Sequence, residues 1–155
     1  MNQSLENQVD VLKNKWLNEN ILFSFKSVSD IVDIAKNKGI KLPHDFIVLY
    51  KNANGMDSFY PNYTDKEGFL FYPVEKLICH DEEVEWRKGE TPALDDVWVF
   101  AEYMHKSWWY GFRVLENESY EIGIIPSRNV FKYITNSLSD FINLYIHDDN
   151  ELYNF

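Results

Sequence analysis

Apolar positions in the first third of the chain recur with a helical period. Leu5, Val9, Leu12 and Trp16 line one helical face, and Ser4 stands where an N-cap is wanted. A second helix is predicted from Ser27 or Ser29 to Lys38, with Val28, Ile31, Val32 and Ala35 inward, late lysines suited to the dipole, and Gly39 just beyond. In "LPHDFIVLYKNANG", residues 42 to 55, Pro43 fits the first helical position and Asp45 the first turn, where a carboxylate is favoured. Phe46, Ile47, Leu49 and Tyr50 supply the buried side of that helix. Asn54-Gly55 then stops it, because both residues tolerate the left-handed backbone that closes a helix or starts a turn.

Beyond Met56 the period shortens to two. "GFLFYP" (68 to 73), "VWVFAEYM" (97 to 104), "SWWYGFRVLE" (107 to 116), "SYEIGIIP" (119 to 126) and "VFKYI" (130 to 134) read as strands rich in aromatic and β-branched residues. Connections as short as "HKS" and "ENES" favour antiparallel hairpins. Between the first two strands, "VEKLICHDEEVEWRKGETPALDD" reads as a short helix plus an exposed loop. "SLSDFINLYIHDD" (137 to 149) gives a capped helix with Leu138, Phe141, Ile142 and Tyr145 inward. The prediction is a single α+β domain over residues 1 to 155: helices at about 4 to 53, a mostly antiparallel, or mixed, sheet of five to six strands at about 56 to 134, and a closing helix at about 137 to 148.

Composition narrows what such a domain can be. With 155 residues, 45% of them hydrophobic and 17% aromatic, the chain has material for one core without staples. One cysteine, Cys79, excludes an internal disulfide and a cysteine-rich zinc site, and fits a reducing cytoplasm. The polar start "MNQSLENQVDVLKNKW" has no apolar signal region, and no run reaches the length of a membrane span, so no membrane partner is expected. A net charge of −10 disfavours direct nucleic-acid binding, which relies on neutralising phosphates. The same charge attracts basic partners, or else serves solubility alone.

Candidate chemistry is sparse. Cys79-His80 is the one thiol with an adjacent imidazole, yet neighbours on a strand point to opposite faces, and dyads are assembled by the fold. "HDEE" (80 to 83) and "HDD" (147 to 149) lack metal-ligand spacing, so no metal and no cofactor are expected. There is no Gly-x-Ser-x-Gly, phosphate-cradling loop or dinucleotide fingerprint. No residue is assigned a catalytic role. What stands out is acid beside aromatic: Asp81, Glu82, Glu83 and Glu85 with Trp86; Asp95 and Asp96; and Phe59, Tyr60 and Tyr63 after Gly55. These are the ingredients of a protein-binding surface, or of a cover for the sheet edge. Trp108 and Trp109 must face opposite sides of a sheet, so if helices cover one side, one indole lies on the other.

Taken in order, Leu42-Pro43 with Asp45-Phe46, Asn54-Gly55, "VWVFAEY" (97 to 103), the aromatic strand after it and "ITNSLSDFINLYI" (134 to 146) resemble the SUKH superfamily of Smi/Knr-like regulators and bacterial immunity proteins, over about residues 27 to 147. Members often carry a glycine-rich turn where this chain has "MHKS" (104 to 107), and the "DEEVEWRKGETPALDD" insertion is individual. The resemblance implies an α+β fold, no catalysis, and, for bacterial members, cytoplasmic neutralisation of a cognate toxin domain, many of which are nucleases with basic surfaces. An acidic protector would then occupy the ground of the phosphates and speed association. On that reading Asp81, Glu82, Glu83, Glu85, Asp95 and Asp96 steer, while Trp86, Tyr60 and Trp108 or Trp109 anchor, in a monomer or weak dimer. A Smi/Knr-type scaffold for an endogenous partner is the alternative, and a small-ligand receptor using a cavity among the aromatic residues is a third reading.

Overall fold

The computed structural model describes residues 4–57, 64–79, 96–127 and 130–154. Three helices, α1 (Leu5–Asn18), α2 (Val28–Lys38) and α3 (His44–Asn52), precede the strands β1 (Phe69–Phe71), β2 (Ile78–Cys79), β3 (Val97–Tyr103), β4 (Trp108–Val114), β5 (Tyr120–Ser127) and β6 (Val130–Thr135), and α4 (Leu138–Ile146) closes the order. The six strands form one antiparallel sheet in the order β1-β3-β4-β5-β6, with β2 paired to β3 further along the edge that β1 occupies. This is the predicted α+β arrangement, helices at both ends of the chain and hairpins between. No helix among the described residues is long and apolar enough to cross a membrane.

Local signals set the helix ends. The Ser4, Ser27 and Ser137 hydroxyls accept from the backbone N–H three residues on, each relieving one unpaired donor of its first turn. Gly39 closes α2 with φ +77°. Two expectations are corrected. Pro43 is the residue before α3, not its first helical position. Val28 and Val32 are 46% and 44% exposed, because α2 turns Ile31 and Ala35 to the core instead. Of the segment expected to hold a short helix and an exposed loop, Val74–Lys76 form a single 3-10 turn running into β2, and residues 80–95 lie outside the described residues.

Asn54-Gly55 divides its work differently from the prediction. Only Gly55 is left-handed, at φ +70°, and an added Cβ would meet the Pro73 nitrogen at 2.4 Å, so glycine is required there. Asn54 acts through its side chain: its carbonyl accepts from the Val74 N–H at 2.9 Å and its amide donates to Glu75 at 2.8 Å. The chain from 54 to 57 is thereby laid along the sheet edge, where the Met56 N–H donates to the Phe71 carbonyl, and the Asn54 and Asp57 N–H groups donate to the Ser24 and Leu22 carbonyls. The β1 edge is thus covered at the Phe71 carbonyl by the 54–57 segment, which is in turn bonded to the chain at Leu22 and Ser24.

One sheet face carries the main core. Phe69, Phe71, Phe100, Tyr110, Phe112, Ile122 and Ile124 meet Trp16, Phe46, Leu49, Phe141 and Ile142 from the helices, all buried. At its centre the Trp16 indole N–H donates to the Tyr145 hydroxyl at 3.0 Å, and Tyr145 donates to Asp65 Oδ2. The other oxygen of Asp65 accepts from the Glu67, Gly68 and Phe69 N–H groups at 2.8–3.0 Å, fixing the turn that delivers β1. Burial pushes the Asp65 carboxyl up from its ordinary 3.8, against the pull of those donors and of Lys15.

Two outcomes follow from these contacts. Asn54→Ala leaves the buried Val74 N–H without its acceptor and lowers stability by about 1–3 kcal/mol in urea unfolding. Because folded Asp65 holds its proton more tightly than the unfolded chain does, its contribution is fully present below pH 3.8 and is lost as pH rises through the elevated folded value. Unfolding curves across that window should give a more negative slope for the wild type than for Asp65→Asn, the difference isolating Asp65 from the carboxylates of Glu19 and Glu75, which are shifted down.

Candidate functional site

The sheet face away from the helices is where candidate contact residues gather. Leu70, Glu102, Trp109 and Ile125 stand opposite one another across β1, β3, β4 and β5 and form a row. One row along, Gly111 faces Gly123, and their missing side chains let Val97, Ile125 and Phe131 fold over the backbone: a Cβ at Gly111 would lie 2.7 Å from Val97 Cγ1, and one at Gly123 2.7 Å from the Phe131 ring. A second, smaller apolar cluster results, with Tyr72, Val97, Val99 and Ile125 buried and Trp109, Ile78 and Phe131 half-buried around them. None of its members comes from a helix. Tyr133, which alternation puts on the same face as Phe131, is 59% exposed.

Among the described residues, charge at one end of this face centres on Arg113. Arg113 reaches Asp96 at 3.1 Å and Glu121 at 3.4 Å while its guanidinium lies 4.8 Å from the centre of the Phe131 ring. Asp96 is therefore held by Arg113, although it remains 60% exposed. Ionic contacts this exposed contribute little to stability, and they keep the carboxylates oriented at the margin of the apolar cluster.

The two tryptophans divide as strand alternation requires. Trp108 lies on the helix side, stacked on Tyr103 at 4.4 Å, with its N–H donating to the Tyr110 hydroxyl at 3.1 Å. Trp109 lies on the opposite face in the smaller cluster. Tyr60, Asp81, Glu82, Glu83, Glu85, Trp86 and Asp95, the remaining predicted contact residues, lie outside the described residues.

At the β1–β3 end of the face lies a cleft of about 520 Å³. Glu102 lines it, buried, with one carboxylate oxygen accepting from the Tyr72 hydroxyl at 2.6 Å. Its rim includes Lys76, and His105 and Lys106 from the β3–β4 turn. That turn is left-handed at three consecutive non-glycine residues, Met104, His105 and Lys106, with φ of 49°, 54° and 66°. The glycine-rich turn expected of the resemblance suits this backbone; here side chains adopt it at a cost of about 1–2 kcal/mol each. Glu102, Tyr72 and Arg113 went unnoticed in the sequence, although a lone acid and a lone base inside apolar strands were the available signal.

A second cleft, of about 560 Å³, opens beside the start of α3. There the Tyr120 hydroxyl donates to Asp45 at 2.5 Å and accepts from the Leu138 N–H at 2.7 Å, joining α3, β5 and α4. Asp45 is thus a cross-brace as well as a first-turn acid. Cys79 is buried in β2. Among the described residues no group of three or more His, Cys, Asp or Glu side chains stands together as metal ligands.

An antiparallel sheet with helices packed on one face, and aromatic and charged side chains gathered on the other, defines the protein as an α+β domain of the helix-on-sheet class. Its sequence matches the profile of the SMI1 / KNR4 family (SUKH-1) over residues 27–144, and the chain belongs to that family. No curated protein matches the chain.

The strained turn yields a direct test. His105→Gly relieves one left-handed side chain, a gain that exceeds the extra conformational entropy glycine loses on folding, and raises stability by up to about 1 kcal/mol in chemical unfolding.

Proposed function

We propose that the protein is a non-catalytic binding module of the immunity type, which docks a toxin domain with a basic surface and blocks it in a cytoplasmic setting. The observation that carries this reading is the sheet face that no helix among the described residues covers, where Trp109, Phe131 and Tyr133 offer aromatic area and Asp96 and Glu121 border it with acid. Membership of the SMI1 / KNR4 family supports a binding role. The −10 charge supports a basic partner, since it accelerates encounter with an oppositely charged surface. Asp81, Glu82, Glu83, Glu85 and Asp95 would extend the acidic border, with Trp86 and Tyr60 as further anchors. Of the two adjacent indoles, Trp109 takes the anchor role, because it stands on this face while Trp108 packs on the helix side. A Smi/Knr-type scaffold holding an endogenous partner would use the same face.

Affinity capture from the native host, followed by co-expression of the captured domain, separates the two readings. The immunity reading requires a domain that arrests growth alone and is neutralised by this chain; recovery of a housekeeping complex overturns it. With such a domain in hand, Trp109→Ala should weaken binding by about 30-fold, the loss of one 2 kcal/mol anchor, with the fold retained by circular dichroism. Reversing Glu82, Glu83 and Glu85 to lysine should slow association and flatten its salt dependence.

A further inference from the structure

The two edges of the sheet are finished differently. At the β1 edge the 54–57 segment lies alongside, and the Met56 N–H donates to the Phe71 carbonyl. At the other end of the strand order stands β6, which among the described residues pairs with β5 alone. The backbone of β6 has a defined direction. The Lys132 carbonyl oxygen lies 2.6 Å from the place a Cβ on Gly123 would take, so Lys132 turns its backbone groups toward β5. The register agrees: Lys132 faces Ile124 and Tyr133 faces Gly123, adjacent rungs of an antiparallel ladder, which alternate between hydrogen-bonded and non-bonded pairs. Phe131 and Tyr133 therefore hold their N–H and C=O groups outward. Among the described residues no hydrogen bond outside the β5 ladder reaches the backbone of either. A six-residue edge strand without proline, left in this state, is a template for another extended chain.

Two features of the edge select its occupant. A second copy of this chain would bring a further charge of −10 and a second Lys132, the one charged residue of β6, to the same edge. A basic protein is drawn by the field that repels the copy. The edge also continues the aromatic face: Phe131 belongs to the smaller apolar cluster, and Tyr133, two residues on, is 59% exposed beside it. A strand laid along β6 would set its own alternate side chains on that face, next to both rings, with no movement of the sheet. We propose that the partner docks by strand addition, an extended segment of a basic protein hydrogen-bonding to the outward groups of Phe131 and Tyr133 and lengthening the sheet by one strand. The inference rests on the binding-module reading above and names the element of the partner that the module receives. The backbone bonds supply affinity for any extended sequence, while the rings and the acidic margin choose among sequences.

The test is backbone amide hydrogen exchange, followed by NMR in the free chain and in its complex with the domain obtained by affinity capture. The Phe131 and Tyr133 amides should exchange readily in the free chain and at least about tenfold more slowly in the saturated complex. Proline is tolerated on an edge strand where the N–H faces outward, so Tyr133→Pro should keep the circular dichroism of the wild type while it removes one donor of the joint. It should bind about tenfold more weakly than Tyr133→Ala, which lacks the ring and keeps the N–H. Equal affinities for the two variants overturn the pairing, and so do Phe131 and Tyr133 amides that keep their free rates in a saturated complex; both results leave the binding-module reading in place. Should Tyr133→Pro fail to fold, the exchange rates decide alone. Protection of the two amides that grows with the concentration of the chain by itself makes the occupant a second copy and overturns the proposal. A captured domain that protects both amides without arresting growth supports the pairing and overturns the immunity reading instead.

Discussion

The fold hangs on the hydrogen-bonded path from the Trp16 indole through the Tyr145 hydroxyl to the Asp65 carboxylate. Three separate parts of the chain meet there: the first helix, the last helix and the turn that begins the sheet. Asp65 is 4% exposed and gathers four donors, three of them backbone N–H groups of its own turn, so the cost of its burial is offset in part. Burial and the neighbouring Asp65 charge hold the Tyr145 proton in place, which keeps that hydroxyl a donor. Since the turn starts β1 at Phe69, it also decides that Phe69 and Phe71 face the helices while Leu70 faces away. The cleft beside Glu102 inherits its wall from that choice.

The two faces of the sheet are stabilised by different means. The helix side is an aromatic mesh in which Phe46, Phe100, Phe112 and Tyr120 meet at 4.4–6.3 Å between ring centres, mostly tilted or edge-on. Among the described residues no helix packs on the far side, where the Gly111–Gly123 pair lets the sheet's own side chains lie flat over the backbone. A face built this way is shallow, and its large rings remain at its surface. That shape is well suited to meeting another molecule, whereas the mesh beneath supplies the rigidity that keeps the rings in place.

Legibility in the sequence followed the range of the interactions. Caps and periodicity are local, so Ser4, Ser27, Ser137 and Gly39 declared the helix ends, and alternation declared that Trp108 and Trp109 part company. The inward face of α2 was misread because Val28 and Val32 are apolar, yet only tertiary packing decides which apolar stripe of a short helix turns inward. Asn54 and Asp45 were read through backbone preference and dipole; their side-chain partners, Val74, Glu75 and Tyr120, are 20 to 75 residues away and left no local trace. Glu102 was hidden for the same reason. Its partner, the Tyr72 hydroxyl, comes from 30 residues earlier in the chain.

One further consequence attaches to α1. The family match begins at residue 27, beyond that helix, yet Trp16 is fully buried among Phe23, Phe71 and Tyr145. The helix is therefore a structural stave and no mere leader: a chain started at the homology boundary would lose an indole from its centre and uncover the Tyr145 hydroxyl. Where similarity to a family starts and where a cooperative folding unit starts are, in this protein, two different places along the chain.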